Sequence, residues 1–270
     1  MFGFQCSVKR YHTFFVSDSF LPDTVSEKEK ETRIMIITLK DGSKKEYAEA
    51  KSVIDIAADI SEGLARVACA GEVDGAVVDL RHVVDKDCEL SILTFEDEGG
   101  KGAFRHTTSH IMAQAIKRLY PDVKLAIGPS IADGFYYDID SENPITTEDL
   151  AKIEAEMKKV VKEALPITRF TKSREEAIAF FKEKNEPYKV ELIEDLPEDA
   201  EISFYQQGEF VDLCAGPHLM TTKPVKAFKL TSIAGAYWRG VEPRENESMK
   251  TPRTVTEWGT SSGKITDIIS

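Results

Sequence analysis

The sequence has few cysteines, no long apolar run and a deficit of basic residues. Its four cysteines, Cys6, Cys69, Cys88 and Cys214, are scattered and form no Cys-x-x-Cys pair, which argues against a disulfide framework or a metal knuckle. No apolar run approaches the roughly 18 residues that a membrane span needs, and residues 1–20 lack the apolar core of a signal peptide. These absences predict a cytoplasmic protein with reduced thiols and no membrane partner.

Acidic residues outnumber basic ones by 47 to 35, which gives a formal net charge of −12. Because phosphate binding depends on Lys and Arg, this balance argues against a surface that coats nucleic acid broadly. A local basic face is still compatible with it, since residues 213–240 include no acidic residue but carry Lys223, Lys226, Lys229 and Arg239. Such a stretch could face an anion or form an ordinary solvated surface.

Changes in residue pattern divide the chain into four segments. Residues 1–34 end in the charge run SEKEKETR and are expected to be disordered, or to precede a natural start at Met35. Residues 35–96 begin with an Asp-Gly hairpin signal, followed by a short amphipathic helix and further strands, which indicates a small α+β domain. Residues 97–240 indicate a larger α+β domain, and residues 241–270 have no periodicity and predict a disordered tail.

Local signals predict the elements of the larger domain. The glycine-rich stretch EDEGGKGA predicts a connector, and its GGKG lacks the spacing of a phosphate loop. A helix is predicted to begin near Phe104. Two more helices follow, with Thr147 and Ser173 as N-caps. PYKVELIEDL is interpreted as strand and loop.

Two pairs of chemically reactive side chains stand out. His106 and His110 are four residues apart in the first of these helices, so they lie on one helix face. Cys214 and His218 are also four apart, in VDLCAGPHL, where a Gly-Pro pair disfavours a regular helix and predicts a turn after a strand. The two pairs could converge on one point.

Three interpretations of these pairs are open at this stage. Three histidines and one cysteine suit tetrahedral zinc. Alternatively, a metal-free hydrolytic pocket could use the imidazoles and the thiol to hold a water and share protons. In the third interpretation the pairs never meet, and each histidine caps or packs. A nucleophilic Cys214 with a histidine base is a further possibility, although its flanking residues match no protease signature.

Four stretches together resemble the editing region of bacterial threonyl-tRNA synthetases: HTTSHIMAQAIKRLYPDVKLAIGPSIADGFYYDID, EPYKVELI, FVDLCAGPHL and AGAYWRG. Residues 35–96 resemble the TGS domain, a β-grasp module that precedes the editing domain in that family. The resemblance covers about Met35 to Gly240. It implies an α+β fold, with a TGS-like β-grasp domain followed by the editing domain that the threonyl and alanyl families share.

The resemblance implies that the chain hydrolyses serine wrongly attached to threonine tRNA, with the 3' aminoacyl end of tRNA(Thr) as partner. The family's catalytic and substrate-binding residues fall on His106, His110, Cys214, His218, Lys189, Asp212 and Tyr137. Lys189 would offset charge on the tetrahedral intermediate or hold the tRNA end, and Asp212 or Cys214 would bind the serine hydroxyl. The alternatives are a turn-capping carboxylate for Asp212 and a half-buried strand aromatic for Tyr137.

The alanyl family binds zinc with the same quartet, whereas the threonyl pocket is described as metal-free. The resemblance therefore implies no cofactor, with zinc on the quartet as the alternative. After AGAYWRG the sequence departs from the family's continuation and contains no class II ATP-site motif, so we expect no aminoacylation. Two alternatives remain: a non-catalytic module that binds RNA or a full-length synthetase, and an inactive truncated product.

Overall fold

The computed structural model describes residues 34–235 and the backbone of residues 252–257. Apart from Ile34, the predicted extension lies outside the described residues, as does most of the predicted tail. Within the described part of the chain, no helix combines the length and the apolar character that crossing a bilayer would require.

The first domain is built on a five-stranded sheet. The elements of the domain are β1 (Met35–Leu39), β2 (Lys44–Tyr47), β3 (Lys51–Ser52), α1 (Val53–Ile60), α2 (Glu62–Val67), β4 (Ala68–Val73), β5 (Ala76–Val78), β6 (Val83–Val84) and β7 (Cys88–Thr94). The strands of the sheet run in the order β2-β1-β7-β4-β5, with β1 and β7 parallel and the other neighbours antiparallel, while β3 pairs separately with β6. The predicted Asp-Gly hairpin is confirmed as β1 and β2, and Gly42 takes the left-handed conformation of its turn.

The core of this domain lies between α1 and the sheet. Val53 and Ile56 of α1 are fully buried and cluster with Ile37 and Leu90. Met220, from the second domain, packs against the same cluster. The two domains therefore share apolar contacts.

The second domain surrounds one long helix with sheets and further helices. Its elements are α3 (Glu98–Leu119), β8 (Lys124–Leu125), β9 (Ser130–Ile131), β10 (Gly134–Asp140), α4 (Leu150–Glu163), β11 (Ile167–Thr171), α5 (Arg174–Glu183), α6 (Pro187–Glu194), β12 (Ser203–Gln207), β13 (Phe210–Leu213), β14 (Ser232–Gly235) and β15 (Pro252–Glu257). One sheet has the order β14-β15-β10-β8, with β9 also paired to β10, and a second has the order β11-β12-β13. The strand β15 pairs antiparallel with β10 and β14, within the segment for which the sequence predicted no regular structure.

The prediction of a connector over EDEGGKGA is wrong, because Glu98 to Ala103 form the first turns of α3. These glycines allow the helix to approach the first domain closely. A Cβ on Gly100 would lie 1.8 Å from the Thr94 carbonyl oxygen, and one on Gly99 would lie 2.7 Å from Leu93. The histidine pair is therefore not at the start of a helix, but within a helix that packs against both domains.

The middle of α3 is buried on nearly all sides, which is the pattern of a central helix rather than an amphipathic one. Its buried hydroxyls are satisfied locally. Thr107 and Thr108 donate to the carbonyls four residues earlier, at 2.9 and 2.8 Å. Ser109 donates to the Gly128 carbonyl at 2.6 Å. These three hydroxyls are therefore satisfied in the core, whereas Arg105 Nε of the same helix is buried without a hydrogen-bond partner among the described residues.

Two further predictions need correction. PYKVELIEDL does not form a strand: Pro187 occupies the first position of α6, where its fixed φ and missing N–H are tolerated. The N-cap before α4 is Thr146 rather than Thr147, and it forms a capping box with Asp149 around a short 3-10 turn. The predicted Ser173 cap is confirmed on α5.

A matched pair of glycine substitutions tests the start of α3. We expect Gly100→Ala to lower the free energy of unfolding by at least about 1–3 kcal/mol, because its Cβ would collide with backbone. Gly102→Ala should raise the free energy of unfolding by about 0.8–1 kcal/mol, since a Cβ at this position would meet no atom within 4 Å and alanine favours the helix. Urea unfolding of both variants measures the difference. Near-equal stabilities for the two would contradict a helical, closely packed start.

Candidate functional site

The two residue pairs noted in the sequence meet in one cluster. His106 and His110 lie on successive turns of α3, and Cys214 and His218 follow β13. The nitrogen and sulfur atoms that the four side chains can offer as ligands all lie within 4.8 Å of one another. Cys214 Sγ is 3.3 Å from His106 Nε2 and 3.1 Å from His218 Nε2. The interpretation in which the pairs never meet is therefore wrong.

A tight loop brings His218 back beside Cys214. The chain has no regular structure from Cys214 to Leu219, as the Gly-Pro pair predicted. Gly216 has φ +81°, and a Cβ there would lie 2.2 Å from Tyr205 Oη. Glycine is required on both counts. The Gly216 N–H donates to Cys214 Sγ at 3.3 Å, which fixes the thiol within the turn.

A second cluster adjoins the first and contains the other three predicted residues. Lys189, on α6, lies with its Nζ 2.5 Å from Asp212 Oδ1, on β13. Tyr137, on β10, donates to Asp212 Oδ2 and accepts from Lys189 Nζ at 2.9 Å. His110 Nε2 is 3.5 Å from Asp212 Oδ2, so this histidine joins the two clusters. All seven predicted site residues thus lie in one continuous network.

The two alternatives for the single residues do not describe the observed positions. Asp212 lies within a strand and pairs with an ammonium group rather than capping a turn. Tyr137 is fully buried rather than half-buried, and its ring covers Gly128 so closely that a Cβ there would lie 2.1 Å from the ring. A cleft of about 490 Å³ reaches Lys189 and Asp212 from the side of α3 and α6.

Burial sets the protonation states of the quartet. Removal from water disfavours a charged imidazole, and it lowers the pKa of His106 to about 4 and that of His110 to about 3. The pKa of His218 is also lowered well below its ordinary value, chiefly by burial. Burial raises the pKa of the Cys214 thiol to about 12. Near neutral pH the site therefore holds neutral imidazoles and a protonated thiol, which argues against Cys214 as a nucleophile.

The second cluster keeps one carboxylate ionised inside the protein. Burial alone would raise the pKa of Asp212, but the Lys189 ammonium, with His110 and Tyr137, more than offsets this and lowers it. Burial and the neighbouring Asp212 raise the pKa of the Tyr137 phenol well above its usual range. The pocket thus combines proton acceptors, an anion and a cation within a few ångströms of one another.

Comparison with known proteins identifies two kinds of domain in this chain. A model of the TGS domain matches residues 35–94, and a model of the threonyl and alanyl tRNA synthetase second additional domain matches residues 202–251. The chain is 61% identical over 232 residues to a threonine–tRNA ligase of Acetivibrio thermocellus, an alignment that covers 86% of this chain and 35% of that protein. It is 62% identical over 206 residues to the corresponding ligase of Clostridioides difficile, covering 76% and 32% of the two chains.

This chain carries a TGS domain and a threonyl and alanyl tRNA synthetase second additional domain. It spans about a third of the length of the curated relatives it matches, which include a ligase of Caldanaerobacter subterraneus at 59% identity. In this family context, Cys214 and His218 fall within the matched second additional domain, whereas His106 and His110 precede the matched range. That match also extends to residue 251, beyond the boundary at 240 that the sequence predicted.

The quartet has the donor chemistry of a zinc site. Three neutral imidazoles and one sulfur are the ligands that tetrahedral zinc prefers, and a bound ion would deprotonate the thiol. His106, His110, Cys214 and His218 would then hold the ion, which would supply Lewis-acid chemistry. An ion held by three of the four side chains would leave a position for a water and supply that chemistry, whereas an ion held by all four would be structural.

Several residues that sequence reasoning missed support the quartet. The Thr107 hydroxyl donates to the Ala103 carbonyl, so its oxygen accepts from the Leu219 N–H at 2.9 Å and faces His218 Nδ1 at 3.3 Å. This favours protonation of His218 at Nδ1 and leaves Nε2 as the acceptor facing Cys214. Asp79 and Arg81, from the first domain, contact the loop that carries His218. Thr107 stands beside His106 in the sequence, but no sequence signal links residues 79–81 to this loop.

The lowered histidine pKa values predict loss of stability on acidification. The unfolded chain takes up protons on these histidines near pH 6.5, whereas the folded chain does so only near pH 4 for His106 and pH 3 for His110. Between these values the unfolded state binds more protons, so the free energy of unfolding falls as pH falls. Each histidine contributes at most about 1.4 kcal/mol per pH unit.

Thermal unfolding at pH 7 and pH 5 measures this effect, with His110→Gln as the comparison. We expect the melting temperature of His110→Gln to fall less between pH 7 and pH 5 than that of wild type, because this variant lacks one buried histidine that takes up a proton on unfolding. Equal pH dependence in the two proteins would contradict a neutral, buried His110.

Proposed function

We propose that this chain hydrolyses the ester of serine wrongly attached to threonine tRNA. The observation that supports this most strongly is the junction between the neutral quartet and the buried Lys189–Asp212 pair, made through His110. A pocket with proton acceptors beside an ion pair suits hydrolysis of an aminoacyl ester. The match to the second additional domain supports the same assignment.

The chemistry requires little beyond a positioned water and a stabilised oxyanion, because an aminoacyl ester is already activated. His106 and Cys214 are partly exposed, whereas His110 and His218 are buried behind them. We therefore assign His106 as the residue that meets the attacking water. Water oxygen adds to the ester carbonyl while His106 takes its proton, and the imidazolium returns that proton to the ribose oxygen as the ester bond breaks.

Lys189 and Asp212 have complementary roles in this proposal. The Lys189 ammonium offsets negative charge on the tetrahedral intermediate, and the ionised Asp212 accepts a hydrogen bond from the serine hydroxyl. Tyr137 holds the carboxylate in place through its phenol. A pocket that fits serine but excludes the additional methyl of threonine would supply a second sieve. A single synthetic site cannot exclude serine strongly, because the missing methyl changes the binding free energy by only about 1–3 kcal/mol.

The partner in this proposal is the 3' aminoacyl end of tRNA(Thr). A basic groove of about 430 Å³ beside α4 could contact its phosphates, with Lys158, Lys159, Lys162 and Lys226 on its rim. Lys229, from the same basic stretch, pairs with Glu154 at 2.9 Å, and Lys159 of the groove pairs with Glu156 at 2.6 Å. This groove also favours the second candidate function, an RNA-binding module without turnover. A chain that binds the aminoacyl-tRNA but does not hydrolyse its ester would identify that function.

We expect the purified chain to hydrolyse Ser-tRNA(Thr) faster than Thr-tRNA(Thr), and His106→Ala/His110→Ala to abolish the difference. Loss of a positioned general base lowers such rates by about 10²–10⁴-fold. The measurement is loss of labelled ester over time against a buffer blank. His82→Ala, which removes an exposed imidazole of the first domain, serves as the control and should retain the wild-type rate. Full activity in a folded double variant would disprove the site assignment.

A separate measurement addresses the metal alternative. If hydrolysis is metal-free, protein purified without chelator should contain far less than one zinc per chain and keep its activity after dialysis against a chelator. About one tightly bound zinc per chain, lost together with activity in Cys214→Ser, would instead establish the quartet as a metal centre.

A further inference from the structure

The loop that carries His218 depends on another domain for its hydrogen bonds. Between Cys214 and Leu219 the backbone belongs to no helix or strand, yet His218 and Leu219 are buried. Buried backbone N–H and C=O groups need partners. Neighbouring residues of the loop do not supply them for His218.

Asp79, which follows β5 in the first domain, supplies the acceptor. Its Oδ2 accepts from the His218 N–H at 3.1 Å and from the Tyr205 hydroxyl at 3.0 Å. The ring of Tyr205 lies 4.4 Å from the His218 imidazole, so one carboxylate oxygen fixes both the backbone of His218 and the aromatic side chain beside it.

Arg81 supplies the donors. Its guanidinium donates to the carbonyls of His218 at 3.4 Å and Leu219 at 3.0 Å, and also to that of Ile167. Asp79 Oδ1 accepts from the same guanidinium at 2.8 Å and so orients it. A planar fork with several donors suits this arrangement, whereas a lysine ammonium could not reach three carbonyls in one plane.

From these contacts we propose that Asp79 and Arg81 are positioning residues for the site. In this proposal the TGS domain holds the Cys214–His218 loop in the geometry that the quartet requires. The side chains of Asp79 and Arg81 are only 10% and 18% exposed, so their charge-assisted bonds are largely shielded from water. Met220, directly after the loop, adds an apolar contact to the first domain.

The kinetic test rests on the proposed hydrolysis and uses the full chain. We expect Arg81→Ala and Asp79→Asn to lower kcat for Ser-tRNA(Thr) by about 10²-fold, the size of effect that small misplacement of catalytic groups produces. KM should change much less, because the polar atoms of both side chains are engaged by the loop, by Tyr205 and by each other. Arg81→Lys keeps the positive charge but lacks the guanidinium donors, so its kcat should remain close to that of Arg81→Ala.

Asp59→Asn is the matched control in the same domain. Asp59 pairs with Lys51 and has no contact with the loop in the part of the chain that the structure describes, so its kcat should equal that of wild type. Unchanged kcat in Arg81→Ala and Asp79→Asn, from folded protein that hydrolyses the ester, would overturn the proposal.

A second readout does not depend on hydrolysis. Cys214 is held by two imidazoles and a backbone N–H, so its alkylation by iodoacetamide should be slow in wild type and can be followed by peptide mass spectrometry. In Arg81→Ala and Arg81→Lys we expect this rate to rise about tenfold, since loss of a loop hydrogen bond favours its open form by that order. Cys69, buried in the core, should stay unreactive in every folded variant.

The two readouts separate the two proposals. If wild type hydrolyses neither ester but Cys214 alkylation rises in the Arg81 variants, the hydrolase assignment fails and the positioning role stands. If alkylation stays at the wild-type rate in Arg81→Lys, the positioning role is wrong whatever the activity. Alkylation of Cys69 in Arg81→Ala would show that this variant unfolds. The alkylation rate of Cys214 in Arg81→Lys would then test the positioning role.

Discussion

The buried ion pair between Lys189 and Asp212 is the constraint around which the site is arranged. Two charges removed from water are tolerated only when they are paired and their remaining hydrogen-bonding capacity is used. Here a helix supplies the ammonium, one strand supplies the carboxylate, and a second strand supplies the Tyr137 phenol. All three elements must dock correctly for the pair to form. The carboxylate that results faces His110 and connects the ion pair to the quartet.

The chemistry of the quartet follows from the same burial. Burial keeps the imidazoles in the neutral form that can accept a proton, and a thiol kept protonated does not compete as a nucleophile. Because Asp212 remains ionised, the pocket also contains a fixed negative charge that a neutral substrate hydroxyl can meet. Burial of the quartet and the one compensating cation thus place neutral imidazoles, a protonated thiol and an ionised carboxylate side by side.

Local features of the fold could be predicted from sequence, and features set by packing could not. The Asp-Gly hairpin and the Ser173 cap are decided by turn and cap chemistry within a few residues, and both are confirmed. EDEGGKGA has the composition of a connector, but its glycines serve a close helix–sheet approach that only the folded structure shows. PYKVELIEDL alternates like a strand, yet it forms a helix on which Lys189 can reach Asp212. For the site, spacing identified the two pairs, and resemblance added Lys189, Asp212 and Tyr137, but the pairing of Lys189 with Asp212 appears only in the folded structure. Arg81 and Asp79 contact Leu219 and His218, which lie more than a hundred residues away in the sequence, and no local sequence pattern indicates such contacts.

The uninterrupted course of α3 has a consequence for motion. A glycine-rich stretch between two domains would ordinarily act as a hinge, but here it is wound into a helix that packs against β4 and β7 of the first domain and continues into the core of the second. Bending at that point would break helical hydrogen bonds and separate packed surfaces, so the two domains are expected to tumble as one body. Access to the pocket must then come from rearrangement of side chains and short loops rather than from domain opening.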